Sequence, residues 1–384
     1  MRPGILGRRG YSSGMRSEAW TRLLGTDPRP WLLESDEPAA CWVAFAELLD
    51  LPADAPGVAA AHEAVMADPR THALLNRLRP WAEDAAVSGH DKPDYAPNML
   101  ALLGDMGIGP DDDPRMAAML KEMLEHRDAD GRFQAFGRWR GGDTPVWSAL
   151  PCDSHAIAET LARFGHADDP RVSRAFDRIA GDLGDTEQGR AWRCRPDPAA
   201  PFRGPGRKSD MCPQVTLEAL RAFSWLPPER RPSEVVAAGR VSLRAWRERG
   251  GEKPYMFGHG RQFKRVKWPA TWYGAFEMTD TLGRYPELWD GPEADPEDRR
   301  ALAEAAACLV AYNGGTDGRV TPRSCFKGFE AWSFGQKRTP SAFATARVAV
   351  VLRRLGPLVD DIAAVVVTAL GSSKGGSGTV VPPG

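Results

Sequence analysis

Cys152-Asp-Ser-His-Ala-Ile-Ala-Glu-Thr-Leu-Ala-Arg-Phe-Gly165, followed by Asp169-Pro170-Arg171 and a second apolar-periodic segment, is the stretch on which the fold turns. The first segment is small and apolar nearly all round, the pattern of a helix buried on every side. It ends at a glycine, the favoured residue just past a helix C-terminus. Asp169 suits an N-cap, because its carboxylate can accept from the unbonded first-turn N–H groups. Pro170 suits the first helical position, where a missing N–H costs nothing. The stretch predicts one buried helix, a short turn, and a second helix running back.

The same pair recurs along the chain. Asp68-Pro69-Arg70 and Asp113-Pro114-Arg115 open further helices, and Ala294-Asp295-Pro296-Glu297-Asp298 does similar work later. Half a repeat out of phase run the buried segments Tyr95 to Gly104, Cys212 to Phe223, Trp272 to Gly283 and Ser341 to Gly356, with an earlier member at Ala39 to Leu49. Gly104 and Gly165 lie 61 residues apart, and Gly283 lies 118 beyond, two units of 59. A third phrase marks the turns: Asp130-Gly131-Arg132, Gln188-Gly189-Arg190 and Asp317-Gly318-Arg319. Three phased markers at one period are the signature of a repeat. Six helix pairs can stack as an open solenoid or close as a ring. Buried, small-residue inner helices favour the ring.

The chain has 384 residues, 42% hydrophobic and 26% charged, enough for a large core. Its net charge of −1 gives no global field for nucleic acid or membrane, and no nucleic-acid module is recognised. No segment reaches the length of apolar sequence that spans a bilayer. Residues 1–17 are basic and glycine-rich without an apolar stretch, so they read as a flexible segment rather than a secretory signal. Residues 18–370 form one domain. Residues 371–384 are a Gly/Ser/Pro-rich tail expected to be disordered. A cytoplasmic location follows as the expectation, with the six cysteines as thiols or metal ligands rather than disulfides.

The alternation of buried and exposed helices, with turns such as Gln188-Gly189-Arg190-Ala191-Trp192, resembles the prenyltransferase and squalene-oxidase repeat. The likeness covers roughly Ala39 to Gly356, and is greatest to uncharacterised bacterial members. It implies the all-α toroid of the terpenoid cyclase/protein prenyltransferase superfamily, an (α/α)6 double ring of antiparallel helix pairs.

In such a ring the inner-helix N-termini share one face. Cys152 starts one inner helix, Cys212 starts the next, and Cys194 lies in the loop between. His155 sits one turn inside, His259 lies in a later loop, and Asp153 and Asp210 are adjacent. Thiolates with imidazole make a Zn²⁺-type set, here Cys152, Cys194, Cys212 and His259. Asp153, His155 and Asp210 are the candidate catalytic groups. Buried cysteines are also ordinary small core residues, and this alternative stays open. Cys41 and Cys308 sit inside apolar helices and read as core.

Gly206-Arg207-Lys208-Ser209-Asp210-Met211-Cys212 is similar to a protein-prenyltransferase β-subunit segment. The resemblance implies Arg207 and Lys208 as diphosphate contacts, with Asp210 and Cys212 as zinc ligands. This chain departs from the pattern where the family's zinc histidine would stand, at Trp268-Pro269-Ala270-Thr271. Pro151-Cys152-Asp153-Ser154 falls where class II terpene cyclases carry DxDD, which would make Asp153 the proton donor, but only one of the three aspartates is present. Lanthionine cyclases are also zinc toroids, but their glycine-flanked cysteine motifs are missing. Toroidal glycosidases use paired carboxylates, a role open to Asp153 and Asp210.

Basic residues crowd the loops of the same face, among them Arg265 and Lys267, and aromatic residues open the next repeat: Trp268, Trp272 and Tyr273. Together they suit an amphiphilic anion. The expected function is a prenyltransferase- or cyclase-like enzyme acting on an isoprenoid-diphosphate-like small molecule in the central cavity, with zinc and no nucleotide cofactor. The alternatives are a metal-free class II cyclase and a non-catalytic ligand-binding toroid.

Overall fold

The structure, a computed structural model, describes residues 18–83, 89–138, 143–204, 207–250, 260–292 and 294–370. The expected flexible ends, 1–17 and 371–384, and His259 lie outside the described residues. The chain is all-α in class: 55% is helical and 6% is strand. The α-helices are α1 (Thr21–Leu24), α2 (Arg29–Leu33), α3 (Pro38–Val43), α4 (Pro56–Ala67), α5 (Pro69–Leu75), α6 (Ala96–Asp105), α7 (Pro114–Glu125) and α8 (Pro151–Leu161). They continue as α9 (Pro170–Gly181), α10 (Pro213–Phe223), α11 (Ser233–Arg247), α12 (Arg261–Lys264), α13 (Ala275–Leu282), α14 (Pro296–Asn313), α15 (Ala342–Arg354) and α16 (Val359–Ala363). No helix among the described residues is long and apolar enough to cross a membrane.

The Asp-Pro phrases do what their chemistry predicts. Asp68, Asp113, Asp169 and Asp295 each cap a helix, accepting from the N–H two residues on, with proline at the first helical position. In the first three, the following arginine also donates to the capping carboxylate, as Arg171 Nη2 does to Asp169 at 2.7 Å. That hydrogen bond holds the Asp169 carboxyl down at about 2. Replacing Asp169 by alanine should cost about 1 kcal/mol, read as a shift in the urea midpoint. The Asp169 contribution is complete above the ordinary aspartate pKa and fades as pH falls toward 2.

The third phrase also has a backbone reason. Gly131, Gly189 and Gly318 take φ of +94°, +128° and +74°, the left-handed region that side chains resist. Gly189 turns a short antiparallel hairpin, β3 (Gly184–Thr186) with β4 (Gly189–Ala191). Two other strand pairs, absent from the sequence reading, are β1 (Ala135–Gly137) with β2 (Val146–Ser148), and β5 (Lys267–Trp268) parallel to β6 (Ser324–Cys325).

Helices α8, α10, α13 and α15 are buried over nearly their whole length. Successive buried helices are neighbours: α6 packs on α8, α8 on α10, α10 on α13, and α13 on α15. α15 then packs on α3. The join between the chain's two ends is polar as well as apolar. Buried Glu37, preceding α3, accepts from the Ser333 and Phe343 N–H groups at 3.1 and 3.0 Å, and from the Ser333 hydroxyl. α1 reaches α16 through Arg22 and Asp360. The outer helices α7, α9, α11 and α14 flank the buried set, α7 and α9 on α8, α11 on α10 and α14 on α13.

Candidate functional site

Two groups of ionisable side chains lie among the buried helices, one at their N-terminal ends and one deeper between them.

The first group is built around the start of α8. Pro151 occupies the first helical position, so Cys152 and Asp153 fall in the first turn, and both are buried. Cys152 hydrogen-bonds His90, whose Nδ1 lies 3.1 Å from Glu218 Oε1. Glu218 is held in turn by Gln214 Nε2 at 2.7 Å, one turn earlier on α10. Gln214 Oε1 accepts from the Tyr273 N–H at 2.8 Å. Trp272 packs edge-on against the His90 ring. Thiol, imidazole and carboxylate thus stand in the order of a nucleophilic triad. Their charge state is not that of an armed nucleophile. Burial pushes the Cys152 thiol up to about 12. His90 is pushed the other way: Cys152 and Glu218 overcome its burial and favour the imidazolium.

Asp153 is hydrogen-bonded to Tyr95. His155 donates from Nδ1 to the Val215 carbonyl, 3.1 Å away, and meets Trp192 edge-on. Burial lowers its pKa, so it is a neutral ring between α8 and α10. Neither residue reaches the cavity described below.

Cys194 and Cys212 lie close enough to perturb each other, and both are free thiols. The backbone sets this up: the Cys212 N–H donates to the Trp192 carbonyl at 2.8 Å, bringing the segment two residues before Cys194 against the start of α10. Cys212 is the N-cap of α10. Cys194 accepts from the Gly204 N–H at 3.2 Å. Each perturbs the other: Cys194 is lowered beside Cys212, and Cys212 is raised beside Cys194 and by its burial. Among the described residues, no three His, Cys, Asp or Glu side chains converge in a way that could hold a metal ion. The described part of the expected zinc set therefore does not fit the ion by itself.

Two of the basic residues expected on this rim have other partners. Arg207 is bound to Asp210 at 2.9 Å, and Gln188 donates to the same carboxylate at 3.0 Å. Asp210 is thus a loop brace, lowered by those two partners against its burial. Lys208 is exposed, and Lys267 lies over the Phe326 ring at 3.7 Å. Arg265 is lowered by partial burial and by Arg261 and Arg323. Tyr273 packs on Phe263. None of these lines the deeper cavity, whereas Trp268 does.

That cavity is the second group. It has a free volume of about 730 Å³, its mouth included, and its wall comes from α6, α8, α10, α13 and α15. Trp225, Trp268, Phe276 and Phe343 supply aromatic surface. Four arginines face four carboxyls: Arg163, Arg221, Arg284 and Arg347 against Asp105, Glu159, Glu277 and Asp280. Most are tightly paired. Arg221 Nε donates to Glu159 at 2.6 Å, Arg163 to Asp105 at 2.7 Å, and Arg284 to Asp280 at 3.1 Å. Arg347 spans Asp105 at 3.1 Å and Glu47 at 2.8 Å. Trp225 lies between the guanidiniums of Arg163 and Arg284, 5.0 and 4.9 Å from its ring. Glu277 is the exception. Burial pushes it up to about 8, with Arg221 only partly offsetting, so it is mostly the neutral acid at pH 7. Sequence reasoning missed this set, and it missed His90 and Glu218.

No protein-family model and no curated protein sequence matches the chain. A solved protein from Actinoplanes is similar in structure, with a TM-score of 0.39 and 13% identity over 88% of this chain and 99% of its own. A likeness at that level carries no argument about fold or function.

Proposed function

We propose that the helix pairs close into an (α/α)6 toroid and that the cavity between the inner helices binds and transforms a small amphiphilic anion, of isoprenoid-diphosphate-like character. The observation that carries this reading is the cavity wall. Aromatic faces suit an apolar or cationic body. With Glu277 neutral, the four arginines exceed the three remaining carboxylates by one, which suits an anionic group. Closure of the ring is supported by the return contact of α15 on α3 and by Glu37, which ties residues 333 and 343 to the first inner helix.

In this reading Arg221 orients the anionic group and Glu277 donates a proton to a ligand oxygen. A carboxylic acid near 8 is well matched to such a transfer at neutral pH, and far too weak to protonate an alkene. The cavity therefore favours chemistry at an oxygen over class II cyclisation. It also leaves Asp153 outside the reacting volume. No step is routed through zinc.

Titrating the full chain with farnesyl diphosphate should quench emission from Trp225 and Trp268, which line the cavity. Ala101→Trp, which fills the cavity from α6, should weaken that binding by at least about 100-fold, near 3 kcal/mol. Equal binding by both proteins, or none by the wild type, would overturn the reading.

A further inference from the structure

We propose that the ligand enters the cavity past the C-terminal ends of the buried helices, and that Trp225 is the specificity-determining residue at that entrance, its ring setting the width of the body that passes. This inference rests on the cavity reading above.

The cavity wall differs from one end to the other. Trp268, Pro269, Thr271, Phe276 and Phe343 line one end, before or within the first turns of α13 and α15, and all are buried. Ala270 is the half-buried lining residue among them. Asp105, Arg163, Arg221, Trp225 and Arg284 line the other end, in or just after the last turns of α6, α8, α10 and α13. All five are half-buried. Solvent therefore reaches the wall chiefly at the C-terminal end. The deep end is aromatic and the open end carries the guanidiniums. An amphiphilic anion that leads with its apolar body comes to rest with its charge beside Arg221.

Three repeats build this entrance from one position. Arg163, Trp225 and Arg284 each stand two residues past the end of their helix, α8, α10 and α13. Arginine suits a helix C-terminus on electrostatic grounds alone. That does not account for the indole between two of them, with guanidiniums 5.0 and 4.9 Å from its ring. The two flanking side chains are pinned. Arg163 donates to Asp105 at 2.7 Å and Arg284 to Asp280 at 3.1 Å. The backbone is pinned as well, because Arg231 donates to the carbonyls of Ser224, Leu226 and Arg284 at 3.0, 2.9 and 3.2 Å. The indole is held differently. Its Nε1 has no hydrogen-bond partner among the described residues, so stacking on the two cations supplies its polar contacts. With posts and backbone fixed, rotation of the Trp225 side chain is the motion that widens the mouth.

The test follows association in the full chain by stopped-flow quenching of Trp268, which lines the deep end and remains in every variant. Two ligands are compared: farnesyl diphosphate, and an analogue with a naphthyl group in place of its terminal isoprene. The wild type should take up the wider analogue at least about tenfold more slowly, the penalty for breaking a cation–π contact on entry. Trp225→Ala should bring the two rates together. Trp225→Phe, which keeps a smaller stacking ring, should give an intermediate ratio and decides the matter if alanine is not tolerated. A merely structural tryptophan would change stability and leave the ratio of rates alone. An unchanged ratio in both variants would overturn the proposal, and slower uptake in Ala270→Trp alongside it would put the entrance at the N-terminal end. Either result leaves the cavity reading intact. Absence of farnesyl diphosphate binding in the wild type would overturn that reading, and this one with it.

Discussion

Arg221→Met should lower the stability of the chain by about 3–5 kcal/mol, the range for removing one partner of a buried ion pair. Arg221 Nε is 2.6 Å from Glu159, which is 5% exposed, so the substitution strands a buried carboxylate. The attraction of Glu159 overcomes the burial of Arg221 and keeps it firmly charged, with further pull from Glu218. The loss is therefore electrostatic, and the apolar volume of methionine does not replace it. The decisive comparison is the double variant Arg221→Met with Glu159→Leu. Removing both charges should recover most of the loss, because two apolar residues of similar size cost little where a lone charge costs much. Urea unfolding midpoints of the wild type, both single variants and the double variant supply the cycle. Additive losses in the double variant would mean that the two side chains stabilise their surroundings independently. Arg221→Met should also weaken anion binding in the cavity by more than Glu159→Leu does.

The spacing of that pair shows what the sequence could and could not reveal. Glu159 and Arg221 are 62 residues apart, and Asp105 and Arg163 are 58 apart. Trp246 with Glu304 and Arg240 with Asp298 are each separated by 58. These are the repeat period itself. A period of about 59, read from glycines and Asp-Pro caps, states that position x meets position x plus one repeat on the neighbouring pair. The helices and caps were legible because N-capping and burial patterns are local. The cavity was legible in principle by a second signal: Glu159, Glu218, Glu277, Asp280 and Arg347 are ionisable residues inside helices otherwise small and apolar. A charge there has nowhere to point except a partner or a cavity. Reading cysteines and loop basics first drew attention to the N-terminal rim instead. The rim residues do come together in part, as Cys194 with Cys212, but Asp210 and Arg207 satisfy each other. His90 had no local signal, since it lies in the loop before α6 and reaches Glu218 over 128 residues.

Glu277→Gln should make the protein more stable, and increasingly so as pH rises. The Glu277 carboxyl titrates near 4.5 when unfolded and near 8 in the folded chain, because burial disfavours its charge more than Arg221 favours it. Between those values the folded chain holds a proton that the unfolded chain has released. Stability from this group is thus complete below about pH 4.5 and is lost as pH climbs toward 8, levelling off above it. Glutamine has the shape of the neutral acid and no such dependence. The variant should match the wild type near pH 5 and exceed it by about 3 kcal/mol at pH 7, with a still larger gap at pH 9. Urea midpoints at the three pH values test this, and a gap that does not change with pH would show that Glu277 is ionised in the folded chain. The same substitution separates the two roles proposed for the acid. Glutamine can still donate a hydrogen bond to a ligand oxygen, so farnesyl diphosphate should bind Glu277→Gln within a few-fold of the wild type. It cannot transfer a proton, so under the proposed function turnover of farnesyl diphosphate should fall by about 10²–10⁴-fold, the usual contribution of a positioned general acid. A gain in stability joined to a loss of turnover is what a residue held in an unfavourable state for its chemistry must show, and a merely structural carboxyl would give only the first.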